Sequence, residues 1–381
     1  MHATTFLLTN HQKGAIGEND LYMKNLVTLR FMLVSLFAIM SMAVSARIIE
    51  YSTGDGFKYN LDTEAKTAEL ADYNGSATEV SISESVTYEG VVYSVTSLGE
   101  NCFERCSSLT SINIPSSVTS LGEYCFASCS ALTSINIPSS VTSLGYGCFA
   151  DCSSLTSIVV DAGNSVYDSR ENCNAVIETE SNTMICGCAG TVIPSSVTSL
   201  GGVCFYGCSS LTSINIPSSV TSLGGFCFEG CSSLASINIP SSVTFLGGSC
   251  FSGCSSLTSI NIPSSVTSLG GYCFSHCSSL KTVTCEIPAP IGNNSIFTYA
   301  PINEATLYVP EASLNSYKTA SPWSGFGTIL AIKSSGIETN TIGTSATVDA
   351  IYNLEGKRNG GIKSGMNILR MSNGTTRKIM K

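Results

Sequence analysis

The sequence predicts a β-rich solenoid in which short parallel strands and short helical turns stack coil upon coil between two caps. Two observations predict this fold. The chain repeats a 23-residue unit, and each unit contains a run whose apolar residues alternate with polar ones, as in a strand with one buried face. A single unit has too little apolar surface for a core of its own, so the units must stack.

The units are nearly identical copies of VTSLGxxCFxxCSSLTSINIPSS. Their spacing is 23 residues except after the third unit, where the next unit starts 56 residues further on. We therefore expect the third coil to carry an extended, irregular segment over 159–196. The units start at Val95, Val118, Val141, Val197, Val220, Val243 and Val266.

The elements are clear in the unit 220–242. Its residues 234–239 (LASINI) predict the strand, and Pro240 ends it because proline has no N–H to donate to a ladder. The start of the unit predicts a second short apolar contact and a Gly-Gly turn. The segment FCFEGC predicts one short helical turn with Phe228 pointing inward. Stacking these elements predicts one continuous core and one sheet about 40 Å long, at about 4.8 Å per strand.

The flanking segments predict caps for a solenoid over 95–292. Residues 47–94 contain hairpin-like runs, and residues 293–332 leave the repeat and contain the only tryptophan. A Ser/Gly/Thr-rich passage at 333–350 predicts a linker, and residues 351–381 are predicted to form a separate tail.

The N-terminus predicts export. From Met23 the chain has basic residues, an apolar run over 31–44 and small residues before a cleavage site near Ala46, which is the pattern of a secretory signal peptide. Residues 1–22 precede this pattern, so Met23 is an alternative start. The apolar run is shorter than the roughly 20 residues that span a bilayer, and no cysteine stands at the cleavage point to carry a lipid. We expect residues 1–46 to be removed and no transmembrane segment to remain.

Charged residues are scarce, at 12% of the chain, and the net charge is −9. Removing residues 1–46, which carry three basic and two acidic side chains, leaves a net charge of about −10. Nucleic acid is not an expected partner, because phosphate binding needs clustered Lys and Arg.

The repeat resembles the leucine-rich repeats of BspA-like surface proteins, whose unit reads AFxxCSSLTSIxIPSSVTSIG. The resemblance covers about residues 85–335, and the insert GNSVYDSRENCNAVIETESNTMICGCAGTVIPSSV is similar to one that recurs in those proteins. It implies a leucine-rich repeat solenoid at the cell surface, with host extracellular-matrix proteins or other cells as partners. This chain departs from the family by placing Cys where Ala usually precedes the Phe, as at Cys227.

The tail is basic, with seven Lys/Arg and one Glu over 351–381. Its segments YNLEGKR, GMNILRM and RKIMK resemble the C-terminal sorting domain of type IX secretion substrates. That resemblance implies contact with secretion machinery and an outer-surface or secreted location. The alternative is a generic basic tail that touches acidic lipid or polysaccharide.

The cysteines follow the repeat, so their cause is structural. Buried free thiols are the favoured interpretation, because free cysteine packs as a small apolar residue. Disulfides within or between coils are an alternative, and a zinc site is the weakest because it needs four ligands. Outside the repeat, a bridge from Cys173 to Cys186 or Cys188 is an open possibility, and Cys285 is unassigned. The pairs are 102/106, 125/129, 148/152, 204/208, 227/231, 250/254 and 273/277.

The sequence predicts no enzyme, no cofactor and no metal site. After signal removal His276 is the one histidine left, and it occupies a variable, solvent-facing slot of the last full unit. Acids fall mostly at variable positions such as Glu100, Glu123 and Glu229. The extension could suggest calcium, but its spacing fits no EF-hand loop and a solvated turn is favoured. Its candidate ligands are Asp161, Asn164, Asp168, Glu171 and Asn172.

The outward residues of the strands form a long, polar, nearly uncharged face, and extended solenoid faces commonly bind ligands. The favoured hypothesis is a secreted or surface-exposed adhesin-like protein that binds protein or glycan through this face. A passive spacer of the cell envelope is the alternative, in which the polar residues only solvate the sheet and hydrogen-bond along it. An exported enzyme is a remote third. The candidate ligand-binding residues are Ser111, Asn113, Ser134, Asn136, Ser213, Asn215, Ser236, Asn238, Ser259 and Asn261.

Overall fold

The computed structural model describes residues 48–332, 348–352, 358–359, 366–371 and 376–380. The predicted signal peptide over 1–46 and most of the predicted linker over 333–350 lie outside the described residues. The described chain is a stack of coils joined by parallel strand ladders, which confirms the predicted fold class.

Residues 48–98 form a β-layer over the first coil. Strands β1, β2 and β3 pair antiparallel, β3 then pairs parallel with β6, and β4 pairs parallel with β7 of the first repeat. The layer therefore extends two separate ladders of the solenoid. Its strands are β1 (Ile48–Ser52), β2 (Phe57–Asp62), β3 (Thr67–Tyr73), β4 (Glu79–Ser81), β5 (Ser85–Tyr88) and β6 (Val91–Leu98).

The SINI segment of each repeat lies on one side of the coil, which we call the strand side. Its apolar residues point into the core and its Ser and Asn residues point out, as the period of two requires. The predicted strand is shorter than expected, because only three or four residues per coil pair. The strands are β7 (Ser111–Asn113), β9 (Ser134–Ile137), β11 (Ser157–Val160), β17 (Ser236–Asn238), β19 (Ser259–Ile262) and β21 (Thr282–Cys285).

The second apolar contact of each repeat is a two-residue strand that pairs parallel with its neighbours. The following glycine is required by close packing, since a Cβ on Gly224 would lie 2.5 Å from the carbonyl carbon of Gly201 in the coil before it. The strands are β8 (Ser120–Leu121), β10 (Ser143–Leu144), β15 (Ser199–Leu200), β16 (Ser222–Leu223), β18 (Phe245–Leu246) and β20 (Ser268–Leu269).

The CFxxC segment forms the third side of the coil, which we call the turn side. It is a series of turns and not the expected helical turn, because two positions per coil have left-handed backbone, such as Phe226 (φ 59°) and Gly230 (φ 73°). A right-handed helix cannot continue through such positions. The exposed backbone pairs with the next coil instead: the N–H of Phe228 donates to the carbonyl of Cys250 at 2.8 Å.

The phenylalanines beneath the turn side stack in a column. The ring centroids of Phe205 and Phe228 are 5.0 Å apart, and the two rings are parallel within 3°. The stacking continues through Phe251 and Phe274 to Phe297. At that end Trp323 meets Phe297 edge to face at 5.2 Å, which closes the column.

The extension divides the stack. It contains β12 (Tyr167–Asp168), a 3-10 turn (Arg170–Asn172), β13 (Ala175–Glu178) and β14 (Thr183–Gly187). Alternate side chains of β13 enter opposite cores, because Val176 packs with the preceding coils while Ala175 and Ile177 pack with the following ones. The expected single core is therefore two hydrophobic clusters on either side of β13. The expected single sheet is likewise divided, because β11 and β17 belong to separate sheets.

The solenoid ends in two further parallel strands and short helical segments, and the tail forms a sheet of its own with strand order β25-β24-β26-β27. The end of the solenoid contains β22 (Thr306–Val309), β23 (Thr328–Ala331), the helix α1 (Leu314–Thr319) and 3-10 turns at Ile302–Glu304, Glu311–Ser313 and Trp323–Gly325. The tail strands are β24 (Val348–Tyr352), β25 (Arg358–Asn359), β26 (Met366–Met371) and β27 (Thr376–Met380).

Candidate ligand-binding surfaces

The structure places all ten predicted residues on the outer surface of the strand side. Nine are exposed, and Asn261 is half-buried, with its Nδ2 donating to Glu286 Oε1 at 3.2 Å. We call these ten residues, Ser111 to Asn261, the strand face.

Parallel register aligns the strand face in rows. Ser236 lies beside Ser259, and Asn238 lies beside Asn261. The N-terminal neighbour Asn215 bridges to Asn238, so three asparagines follow one another on consecutive coils. Equivalent groups therefore recur at about 4.8 Å along the solenoid.

Threonines and asparagines of the repeat differ in their hydrogen bonds. The threonine hydroxyls bond to the preceding coil, as when Thr119 Oγ1 donates to the carbonyl of Thr96 at 3.2 Å. Within the part of the chain that the structure describes, the side-chain amides of Asn136, Asn215 and Asn238 have no hydrogen-bond partner. Asn113 and Asn261, in contrast, donate to Ser81 and Glu286.

The extension splits the strand face into two patches. The first ends at β11, where Val159 stands opposite Asn136 and is 46% exposed. The second begins at Asn215 and continues past Asn261 to Thr284 and Tyr308 in the following strands. The sequence repeat alone does not reveal this division.

A groove of about 410 Å³ lies on the turn side, at positions that the sequence analysis treated as variable. Its walls include Tyr146, Tyr206 and Phe226, and Asp151 and Glu229 contribute carboxylates. Sequence reasoning missed this site because its residues come from units on both sides of the extension. An alignment of the four variable positions of each unit would have shown the aromatic residues gathering there.

All 18 cysteines are free thiols, and only Cys106 and Cys186 are not fully buried. The first cysteine of each pair lies against its counterparts in adjacent coils, as Cys125 does with Cys102 and Cys148. The second donates to a carbonyl of the coil before it; Cys231 Sγ, for example, lies 3.2 Å from the oxygen of Phe205. The sulfurs therefore form two buried rows beside the phenylalanine column.

Burial governs the chemistry of these thiols. Desolvation raises the pKa of Cys152 and Cys277 to about 12, so the nucleophilic thiolate is strongly disfavoured in the folded state. No group of three or more metal-ligating side chains occurs within the described residues.

Two of the five candidate calcium ligands in the extension, Asn164 and Asp168, have structural partners. Asn164 donates to the carbonyls of Pro138 and Val141, and its Oδ1 accepts from the N–H groups of Val166 and Tyr167. The carboxylate of Asp168 pairs with Arg170 at 2.7 Å. Both polar side chains therefore take part in the local structure of the extension.

His276 is exposed and stacks on Tyr299, with ring centroids 4.6 Å apart. Its neighbours Cys273 and Cys277 are buried in the rows of thiols and belong to the repeat. The cysteines and the imidazole therefore face different environments.

The strand ladders, the buried leucines and isoleucines and the 23-residue coil define a leucine-rich repeat solenoid. The profile of the BspA-type leucine-rich repeat region matches the chain in six copies, over residues 76–186 and 175–303. This match covers more than half of the chain, and the chain belongs to this family.

Solved structures that match this chain include several bacterial leucine-rich repeat proteins. A leucine-rich cell surface protein of Faecalibacterium prausnitzii is 20% identical, with 76% of this chain and 96% of that chain covered and a TM-score of 0.40. A leucine-rich repeat protein of Bacteroides ovatus is 23% identical, with 74% and 76% covered and a TM-score of 0.41. The pneumococcal vaccine antigen PcpA is 14% identical, with 75% and 99% covered and a TM-score of 0.46. A search of curated proteins found no match.

Among the described residues, no helix has both the length and the apolar character needed to cross a bilayer.

Proposed function

We propose that the protein is a secreted or cell-surface leucine-rich repeat protein that binds protein or glycan ligands through the strand face. The observation that carries this proposal is that the exposed amides of Asn136, Asn215 and Asn238 have no partner among the described residues, and that Asn215 and Asn238 stand on consecutive coils. Each amide offers two donors and an acceptor, and the row repeats these groups at about 4.8 Å. An extended peptide or oligosaccharide can pair with several of them at once.

The signal-peptide pattern and the family support an extracellular location. The resemblance to type IX sorting domains supports export across an outer membrane through the tail. In this proposal the solenoid over 95–292, its caps over 47–94 and 293–332 and the tail over 351–381 act as separate units. Host extracellular-matrix proteins are the partners that the family resemblance implies.

The experiment is a binding screen of the chain after signal removal against matrix proteins and glycans, followed by a triple variant, Asn136→Ala, Asn215→Ala and Asn238→Ala. We expect a ligand that binds the parent at least tenfold more tightly than the triple variant. The matched control replaces Ser218, Ser241 and Ser264 with Ala, because these exposed serines follow the strand and lie outside the strand face. Equal binding by the parent and both variants would contradict the proposal.

A passive spacer is the second candidate, favoured by the near identity of the repeats. It predicts no ligand in the screen and no effect of either triple variant. A catalytic role is not proposed, because the buried thiols are poor nucleophiles and His276 stacks on Tyr299 at the surface.

A further inference from the structure

The groove on the turn side is built where the repeat varies most. Its floor is made by Ala127 and Ala150, which are small and buried. The equivalent position holds Glu104 in the first unit, Tyr206 in the fourth and Glu229 in the fifth. Larger side chains therefore border the floor at both ends. The result is an open trough across several coils.

The third and fourth units meet directly at this place despite the extension between them. The N–H of Asp151 donates to the carbonyl of Tyr206 at 2.9 Å, which continues the ladder of the turn side. The chain between these residues leaves the ladder and returns, so aromatic side chains of the fourth and fifth units reach the floor made by the second and third.

The walls are aromatic and partly open to water. Tyr146 is 44% exposed and Phe226 is 43% exposed, which is a large apolar surface for a soluble face. Tyr124 meets Tyr146 edge to face, with ring centroids 5.9 Å apart. The exposed rings offer apolar surface on which the methylene groups of a long side chain can pack.

The groove is negatively charged. Glu104, Asp151 and Glu229 contribute carboxylates, and the lining includes no lysine or arginine. Arg105 lies beside Glu104, with Nε 3.4 Å from Oε1, but its side chain is 81% exposed and is not part of the lining.

One carboxylate oxygen in the groove lacks a partner. Glu229 Oε2 is inaccessible to solvent and accepts no hydrogen bond from the described residues. Burial raises the pKa of Glu229, and burial together with nearby Tyr124 and Glu229 raises the pKa of Tyr146. A cation bound in the groove would offset this local excess of negative charge.

We propose that this groove binds lysine or arginine side chains of an extended basic segment in a partner protein. The carboxylates hold the charged head, and the tyrosine and phenylalanine rings cover the apolar stem and attract the cation through their faces. A neutral carbohydrate gains less here, because it brings no positive charge to offset the three carboxylates of the lining. This site is separate from the strand face, since none of the ten strand-face residues lines the groove.

The test uses the whole chain after signal removal and a fluorescein-labelled heptapeptide that alternates glycine with lysine. At low ionic strength we expect saturable binding by fluorescence anisotropy, weakened by salt as the charges are screened. The variants Glu229→Gln and Tyr146→Ala should each weaken binding by about 3- to 10-fold. A peptide with glutamate in place of lysine should not bind.

The matched controls are Glu311→Gln and Tyr272→Ala, which make the same changes at exposed positions outside the groove. They should change the affinity by less than about twofold, and circular dichroism of every variant should match that of the parent. If Glu311→Gln and Glu229→Gln weakened peptide binding equally, the proposal would be wrong, because the peptide would then respond to the overall negative charge of the protein. Displacement of the peptide by a neutral hexaglucan in a Tyr146-dependent manner would overturn it in favour of a glycan site.

The triple asparagine variant of the strand face should bind the lysine peptide as the parent does. The strand-face proposal and the groove proposal can therefore be tested independently of each other. Loss of peptide binding in that variant would contradict the assignment to the groove.

Discussion

The strand side and the turn side of the same coil differ in what repeats. On the strand side the outward residues are almost always Ser and Asn, above buried isoleucines such as Ile237. On the turn side the buried residues repeat as Cys and Phe, while the outward ones change from unit to unit. One backbone thus carries a uniform surface and a variable surface. The uniform one suits an extended ligand of repeating structure, and the variable one can build a local site.

The largest expected effect is a loss of stability at high pH, which comes from the thiols buried beneath the turn side. In reductant, raising the pH from 7 to 9.5 should unfold the protein, because the folded-state pKa of buried thiols such as Cys152 is raised to about 12. In the unfolded chain cysteine ionises near pH 8.5, so above that pH the unfolded state binds fewer protons and stability is lost until the folded pKa is reached. Each buried thiol contributes a loss of about 1.4 kcal/mol per pH unit in this window.

Urea titrations at a series of pH values measure this loss. In a variant with Cys204, Cys227 and Cys250 changed to Ala, the free energy of unfolding should fall less steeply with pH than in the parent. An unfolding free energy that stays constant from pH 7 to 9.5 would show that the thiols are not buried and protonated as described.

The second effect compares the buried and exposed aromatic residues of one turn. Phe228→Ala removes a ring from the middle of the column and should lower the free energy of unfolding by about 3–5 kcal/mol. Phe226→Ala changes an exposed ring two residues away and should lower it by less than about 1 kcal/mol. Chemical denaturation of both variants measures the difference. Similar losses of unfolding free energy in the two variants would contradict the burial of Phe228 and the exposure of Phe226.

The third effect concerns the left-handed positions of the turn side. Ser249 has φ 53°, so Ser249→Gly should stabilise the fold by up to about 1 kcal/mol, because glycine adopts this backbone without a Cβ clash. Ser252→Gly, in the same turn at a buried position, should destabilise it by a similar amount. Thermal unfolding of both variants measures the change in melting temperature. Changes of opposite sign support the described backbone, and changes of the same sign contradict it.

The smallest effect is expected on the strand side. Asn238→Ala should change the free energy of unfolding by less than about 0.5 kcal/mol, because its exposed amide has no partner among the described residues. Asn261→Ala should have a larger effect, since Asn261 is half-buried and bonds to Glu286. The pair tests whether the strand face is free for ligands.

The sequence predicted the features that repeat and missed those that depend on register. The 23-residue period and the alternation in SINI were sufficient for the coil, for the ladders and for the outward direction of residues such as Asn238. The left-handed turn was not visible, because one of its positions holds glycine only in the fourth, fifth and sixth units; in the other units it holds Arg105, Ser128, Asp151 and His276. Without a regular glycine, the segment resembles a helical turn.

The groove could not be predicted for a related reason. Its residues become neighbours only because Asp151 pairs with Tyr206 across an extension whose path the sequence does not specify. The division of the hydrophobic core by β13 could not be predicted from the sequence either. Its continuous apolar run AVI is compatible with a strand buried on both faces, but nothing in the run indicates that the faces belong to different cores.

Strand β13 also determines how the molecule should respond to mechanical load. Across the extension the turn-side ladder continues from Asp151 to Tyr206, but the phenylalanine column that joins the other coils does not. At β13 the column is interrupted, and Val176 packs on one side while Ala175 and Ile177 pack on the other. A pull on the two ends should therefore part the stack there first. Each half then retains a core of its own and can rejoin its partner when the force is released.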